Sequence, residues 1–79
     1  MKANVYVTLK REVLDPQGDA VRRALESLGY ASVRNVRVGK LIEVELDETD
    51  RAEAEKALRA MCEKLLANPV IEDFRFELL

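Results

Sequence analysis

The stretch VRNVRVGKLIEVEL, residues 33–46, decides which fold we expect. We predict one half-buried β-strand over residues 33–38, with Val36 and Val38 on one face and Arg37 on the other, and a second where apolar and polar residues alternate from Ile42 to Asp47. Only Gly39, Lys40 and Leu41 separate the two runs, and Gly39 with Lys40 suits a tight turn. Because a connection this short cannot form a crossover, we predict an antiparallel hairpin with a tight turn at these two residues.

The residues before this stretch predict a strand followed by a helix. Residues 5–9 alternate between apolar and polar side chains. Asp15 and Pro16 suit the N-cap and the first position of a helix, and apolar residues at helical spacing follow them. Gly29 occupies a position that is typical of the residue after a helix. We therefore predict a helix over residues 16–28.

The residues after the stretch predict a second helix and a last strand. Asp50 and Glu53 have the spacing of a capping box, and a continuous apolar stripe follows them at helical spacing. Pro69 ends this helix, because the residue before a proline disfavours the helical conformation. We predict the second helix over residues 51–67 and the last strand over residues 71–78.

The predicted order is β-α-β-β-α-β, which is typical of a ferredoxin-like α+β sandwich. We expect a single domain over residues 1–79, with a four-stranded antiparallel sheet and two helices on one of its faces. A chain of 79 residues has a thin core, and its single cysteine cannot form a disulfide within the chain. Oligomerisation is therefore the expected source of additional stability.

Composition excludes several classes of function. The chain has no histidine, which removes the commonest general base and the usual paired nucleophiles. A net charge of −2 argues against nucleic acid or an anionic membrane as the main partner, and no apolar run is long enough to span a bilayer. With no export signal and one cysteine, the chain is expected to be cytoplasmic.

Three small groups of residues have a possible chemical role and a more common structural explanation. Cys62 lies on the apolar stripe of the second helix, where a buried structural thiol is more common than a nucleophile. Acidic residues along one strand could hold a hard cation, but a solvated strand face explains them as well. Cations beside a glycine could bind phosphate, although charged turns are common. The last two groups are Glu43, Glu45 and Asp47, and Arg37, Gly39 and Lys40.

Three segments contain residues that the predicted fold does not require. Val13 and Leu14 are apolar residues in a loop. Gly18 lies within the first helical turn, where glycine costs up to ~1 kcal/mol relative to alanine. Val70 and Ile71 are adjacent apolar residues that follow a helix stop. Apolar loops of this kind are used by small subunits to dock on partners.

These segments, together with the predicted hairpin turn, lie in three runs of sequence that resemble the PurS family, the small subunits of phosphoribosylformylglycinamidine (FGAM) synthase. The similarity covers nearly the whole chain in the same order, and its longest and most specific part is the third segment. The matching runs are VLDPQG at 13–18, VRVGK at 36–40 and MCEKLLANPVIED at 61–73.

The resemblance implies a subunit of an ATP-dependent ligase that acts in purine synthesis and has no catalytic residues of its own. Its expected partners are a second copy of itself, the synthetase subunit PurL and the glutaminase subunit PurQ. The synthetase subunit would bind ATP and magnesium, and this chain is expected to bind no cofactor. An ACT-like dimeric domain that senses small molecules is the alternative. The residues expected at partner interfaces are Leu14, Asp15, Gln17, Arg37, Lys40, Asn68, Pro69 and Glu72.

Overall fold

A computed structural model describes all of residues 1–79 and contains three strands, two α-helices and one π-helical turn. In chain order these are β1 (Lys2–Leu9), α1 (Pro16–Ser27), β2 (Lys40–Glu45), α2 (Arg51–Met61), the π-helical turn (Cys62–Leu66) and β3 (Glu72–Leu78).

The strands form one antiparallel sheet in the order β2-β1-β3. Val5 on the central strand pairs with Ile42 on one side and with Phe76 on the other. Because side chains alternate along a strand, the apolar members of all three strands share one face. Val5 and Val7 are completely buried on that face, which confirms the alternation predicted for the first strand.

The core lies between this face and α2. Leu58 and Cys62 are fully buried and pack with Val5 and Val7. The α-helix predicted to reach residue 67 ends at Met61, and the π-helical turn continues it. At the end of that turn the Ala67 N–H donates to the Cys62 carbonyl at 3.0 Å, a bond across five residues that widens the last turn.

The predicted four-stranded sheet and its hairpin are wrong. The sheet has three strands, and residues 33–39 form no strand paired back onto β2. The tight two-residue hairpin turns need positive φ, yet Gly29, at φ 100°, is the only residue with positive φ in the chain. The chain therefore passes through Gly39 without turning, and residues 33–38 lead directly into β2.

The prediction of two helices on one face is also wrong. α2 packs on the sheet, whereas α1 makes at most marginal contact with any other helix or strand. We call residues 16–38, which comprise α1 and the extended segment after it, the arm. The molecule measures 48 × 25 × 14 Å, because the arm extends beyond the sheet instead of folding over it. The helical spacing correctly identified α1 but could not show what covers its apolar side.

Candidate partner-binding site

The residues predicted at interfaces meet at one end of the sheet, where β1 ends and β2 and β3 begin. We call this region the joint, because it connects the sheet to the arm. The joint comprises residues 10–18 with the start of α1, residues 36–40 before and at the start of β2, and residues 67–73 before and at the start of β3.

Asp15 ties the start of α1 to the end of the arm, just before β2 begins. Its carboxylate accepts from the Gly18 N–H at 3.0 Å, as the N-cap of α1, and from the Val38 N–H at 2.7 Å. These two hydrogen bonds, the one from Val38 being the stronger influence, lower the pKa of Asp15 below its usual value, since both favour the charged form. The predicted N-cap is confirmed, and the side chain also accepts from the Val38 N–H, a contact that the sequence did not indicate.

Two glycines of the joint allow backbones to approach closely. A Cβ on Gly18 would lie 2.0 Å from the Val36 carbonyl oxygen, and one on Gly39 would lie 2.7 Å from the Val7 carbonyl oxygen. Glycine in the first turn of α1 is therefore explained by contact with the extended segment of the arm. Gly39 serves close packing and not the predicted turn.

Arg37 fixes the loop between β1 and α1. Its Nη2 atom donates to the carbonyl oxygens of Lys10 at 2.9 Å and Val13 at 2.8 Å. Lys10 was not among the predicted site residues, yet its Nζ also lies 3.6 Å from the Asp73 carboxylate. The only feature of the sequence that could have indicated Lys10 is its place directly after a predicted strand. Arg37 therefore connects the segment before β2 to the loop after β1, and Lys10 connects that loop to the start of β3.

A second set of contacts joins β2 to the loop before β3. Lys40 Nζ lies 3.6 Å from Glu72 Oε2, and Glu72 Oε1 accepts from the Asn68 N–H at 2.7 Å. Asn68 Oδ1 in turn accepts from the Val70 N–H at 3.1 Å. The Glu72 side chain is largely covered, whereas that of Lys40 is mostly exposed. These residues hold the loop over residues 68–71 in one conformation.

The other predicted residues of the joint present free side chains to solvent. Leu14 is 84% exposed, and Gln17 and Pro69 are also exposed. Val70, which follows Pro69 and was not among the eight predicted residues, is 78% exposed. The eight predicted residues thus divide into two groups. Four of them, Asp15, Arg37, Lys40 and Glu72, hold the chain together, and Asn68 joins them through its backbone and its amide.

The joint borders an open groove of about 380 Å³ whose lining includes Lys10, Arg59, Cys62, Glu63 and Glu72. Burial raises the pKa of the Cys62 thiol, so the thiolate needed for nucleophilic attack is disfavoured. No three Cys, Asp or Glu side chains of the chain converge as metal ligands would. That the chain binds no cofactor remains a prediction.

The open face of the sheet is charged and internally paired. The Arg75 guanidinium lies 3.9 Å from the centre of the Tyr6 ring, and the Tyr6 hydroxyl donates to Glu77 at 2.7 Å. This hydrogen bond, with some help from burial, raises the pKa of Tyr6.

No helix of the chain has the length and apolar character that crossing a bilayer requires.

The fold and the joint define a small α+β interaction subunit, with polar groups that mainly hold its own segments and apolar loop residues that face outward. A family model described as "PurS: Phosphoribosylformylglycinamidine (FGAM) synthase" matches residues 2–79. The chain therefore belongs to the PurS family of FGAM synthase subunits, and the resemblance seen in the sequence is confirmed.

Individual relatives agree with this assignment. The Bacillus subtilis FGAM synthase subunit PurS is 53% identical over 76 residues, which cover 96% of this chain and 89% of the relative. A solved structure of Methanocaldococcus jannaschii PurS has a TM-score of 0.85 at 39% identity and covers 96% of this chain and 92% of that one. A chain in the structure of PurLQS from Thermotoga maritima has a TM-score of 0.90 at 31% identity, covering 99% and 95%.

Proposed function

We propose that this chain bridges the glutaminase and synthetase subunits of FGAM synthase and supports the transfer of ammonia between them, without catalysing a step itself. The observation that carries the proposal is the match over nearly the full chain to a subunit solved as part of PurLQS. By this proposal the partners are PurL, PurQ and a second copy of the chain, ATP and magnesium are bound by PurL, and the complex acts in the cytoplasm.

The chemistry of ammonia explains why a bridging subunit is needed. Ammonia released into bulk water is protonated and diluted, so the site that releases it and the site that consumes it must be sealed from solvent. A subunit can contribute to such a seal by packing alone. The burial of Cys62 and the polar groups already paired at the joint are consistent with a structural contribution.

The exposed part of the joint is the surface that we assign to a partner subunit. Leu14 and Val70 project from two loops whose conformations are held by hydrogen bonds. Arg37 holds the loop of Leu14, and Asn68 and Glu72 hold the loop of Val70. Side chains presented on an already ordered loop lose little conformational freedom on binding, which favours affinity. Apolar anchors surrounded by polar groups are typical of interfaces.

The experiment compares glutamine-dependent and ammonia-dependent FGAM synthesis in a complex reconstituted from PurL, PurQ and this chain. We expect the Leu14→Glu and Val70→Glu variants to lower the glutamine-dependent rate at least tenfold and to leave the ammonia-dependent rate within about twofold. Leu79→Glu is the matched control, because Leu79 is 68% exposed beyond the end of β3, away from the joint. Equal glutamine-dependent rates with and without the chain would exclude the bridging role.

A further inference from the structure

The outer edge of β3 has free backbone groups. Ile71 and Leu79, which flank this strand, both form backbone hydrogen bonds to the β1 side, so the odd-numbered residues direct their backbone groups toward β1. By strand alternation, the even-numbered residues direct theirs away from β1. β3 is the last strand of the sheet on this side, and no other segment of the chain bonds to those groups. The residues with free backbone groups are Phe74, Phe76 and Leu78.

β3 lacks the features that usually protect an edge strand from pairing. Natural edge strands are often short or bulged, or they carry lysine or proline. β3 has seven residues, pairs with β1 in one unbroken register and contains neither lysine nor proline. An edge of this kind pairs readily with another strand.

An open groove of about 340 Å³ lies along this edge. Its lining includes Glu55 and Arg59 of α2 together with Phe74, Arg75 and Phe76 of β3. Neighbouring residues of a strand point to opposite faces of the sheet, so one groove can contact all three only at the edge of the strand. The edge is therefore accessible, with α2 standing beside it.

The charged side chains at this edge have no charged partner within the chain. Neither Arg59 nor Arg75 forms an ion pair with a carboxylate. Arg59 lies over the Phe76 ring at 5.4 Å instead, and Arg75 lies over the Tyr6 ring. The Glu77 carboxylate accepts from a neutral group, the Tyr6 hydroxyl. Ion pairs with a second chain can thus form here without breaking an ion pair in the first.

The sequence of β3 complements itself in one antiparallel register. With a two-fold axis at Phe76, Arg75 of each copy lies opposite Glu77 of the other, which is a favourable cross-strand pair. In the same register Phe74 lies opposite Leu78, and the two Phe76 side chains meet at the axis. These apolar residues are the ones with free backbone groups, so about six hydrogen bonds join the two strands. Opposite charges meet on the open face and apolar side chains on the core face.

The neighbouring two-fold registers are less favourable. An axis at Arg75 would place this arginine opposite its own copy and Asp73 opposite Glu77, and like charges in opposite positions are destabilising. An axis at Phe74 would place Glu72 among the apolar side chains of the other copy, where its carboxylate would lose water. The charges therefore select the axis at Phe76.

α2 permits the two strands to approach. Leu58 of this helix shares the core with Val5 of β1, while Arg59 lies over Phe76 of β3, so the helix stands above both strands. From the strand spacing, the two copies of α2 would lie about 10 Å apart, an ordinary distance between packed helices. They would run antiparallel, and each would bring Glu55 and Arg59 to the contact.

We propose that the outer edge of β3 is a self-association surface, at which two copies of the chain pair antiparallel about a two-fold axis at Phe76 and join their sheets into one of six strands. The contact is isologous, since each copy contributes the same residues. It uses residues 74–78 and the side of α2 above them. It lies on the opposite side of the sheet from β2 and includes no residue of the arm or the joint.

A cysteine at the axis tests the register directly, in the isolated chain and independently of the proposed bridging role. In a Cys62→Ala background, Phe76→Cys should form a disulfide-linked dimer on mild oxidation, because directly opposite residues have Cα atoms about 5.5 Å apart. Phe74→Cys is the matched control on the same face of the same strand. Its two copies would lie more than about 13 Å apart, so it should give less than about a tenth of the cross-linked product.

Charge reversal on the open face is a second test, and it leaves the core residues unchanged. Arg75→Glu would place a glutamate opposite Glu77 of the other copy and should weaken this association at least tenfold. Combining it with Glu77→Arg restores opposite charges in the same register, and the double variant should associate within about threefold of the wild type.

Hydrogen exchange measures this association separately from self-association through any other surface. The amides of Phe74, Phe76 and Leu78 should be at least tenfold better protected at about 1 mM protein than at about 10 µM, because only the paired strand bonds them. Rapid exchange of these amides at both concentrations would overturn the proposal. So would a folded Phe76→Cys variant that cross-links no better than Phe74→Cys, or a double charge variant that associates as weakly as Arg75→Glu.

Discussion

For the replacement of Gly18 by alanine, the sequence and the structure predict opposite changes in stability. Within a helix, alanine is favoured over glycine by up to ~1 kcal/mol, so sequence reasoning predicts stabilisation. In the structure the new Cβ would lie 2.0 Å from the Val36 carbonyl oxygen and 2.9 Å from Asp15 Oδ2. The first contact is more than 1 Å shorter than the approximately 3.3–3.6 Å of a favourable carbon–oxygen contact.

The magnitude follows from what would have to move. Val36 contributes a backbone carbonyl, which cannot rotate away as a flexible side chain could, so α1 must shift relative to the extended segment of the arm. Overpacking of this kind costs about 1–3 kcal/mol, and a contact this short belongs at the upper end. After subtracting the helix-propensity gain, we expect a net loss of about 2 kcal/mol, or a fall in Tm of about 8–16 °C for a domain of this size.

The assay is thermal and urea unfolding followed by circular dichroism, with all variants at one protein concentration because self-association would shift the apparent stability. Ala20→Gly, on the exposed side of α1, is the matched control and should cost about 1 kcal/mol through helix propensity alone. If Gly18→Ala unfolds at the same temperature as the wild type or above it, the close approach of α1 to Val36 is wrong.

Three further predictions concern the joint and the core. Asp15 has a lowered pKa in the folded state, so its contribution to stability is present above the unfolded pKa of about 3.9 and is lost as the pH falls through the folded value. Urea midpoints measured from pH 2 to 7 should therefore fall at acid pH in the wild type, and they should fall less in Asp15→Asn. Arg37→Ala removes two hydrogen bonds from a charged donor and should cost about 1–3 kcal/mol, measured by urea unfolding, with Arg34→Ala as a nearly neutral control. The buried Cys62 thiol should react with a thiol reagent only as fast as the chain opens, so that the rate rises sharply in urea and an immediate reaction of the native protein would contradict its placement.

Local signals in the sequence identified most of the helices and strands. The alternation over residues 5–9 correctly predicted β1, and Asp15 and Asp50 cap the two α-helices as expected. These features depend on neighbouring residues, so a single sequence contains them. The π-helical turn after Met61 was not predicted, because its residues have the same apolar spacing as an ordinary helix.

The hairpin was predicted wrongly although the sequence contained a contrary signal. In a two-residue hairpin closed at Gly39 and Lys40, Val38 would share a face with Leu41 and not with Ile42. Instead, except at Lys40 and Leu41, the apolar positions stay even-numbered from Val36 to Leu46, as they do when the chain continues without a hairpin turn. Whether the apolar residues fall at even or odd positions was therefore a better guide to the path of the chain than the presence of Gly39.

The sequence singled out residues that lie at the joint but did not predict that they meet or which contacts each of them makes, and their binding to a partner stays a prediction. Residues far apart in sequence, such as Lys40 and Glu72, meet because both lie next to the end of β1, and this requires the sheet topology. Exposure separates Leu14 from the neighbouring Asp15, although the two are adjacent in the chain. That difference depends on the path of residues 36–39, which local sequence patterns do not specify.

The uninterrupted run from Val36 into β2 has a mechanical consequence. Asp15 and Arg37 bond this run to the residues that lead into α1, so the two points at which the chain enters and leaves the arm are tied to each other. A partner that contacts both the arm and the sheet therefore meets them at an angle that these hydrogen bonds set.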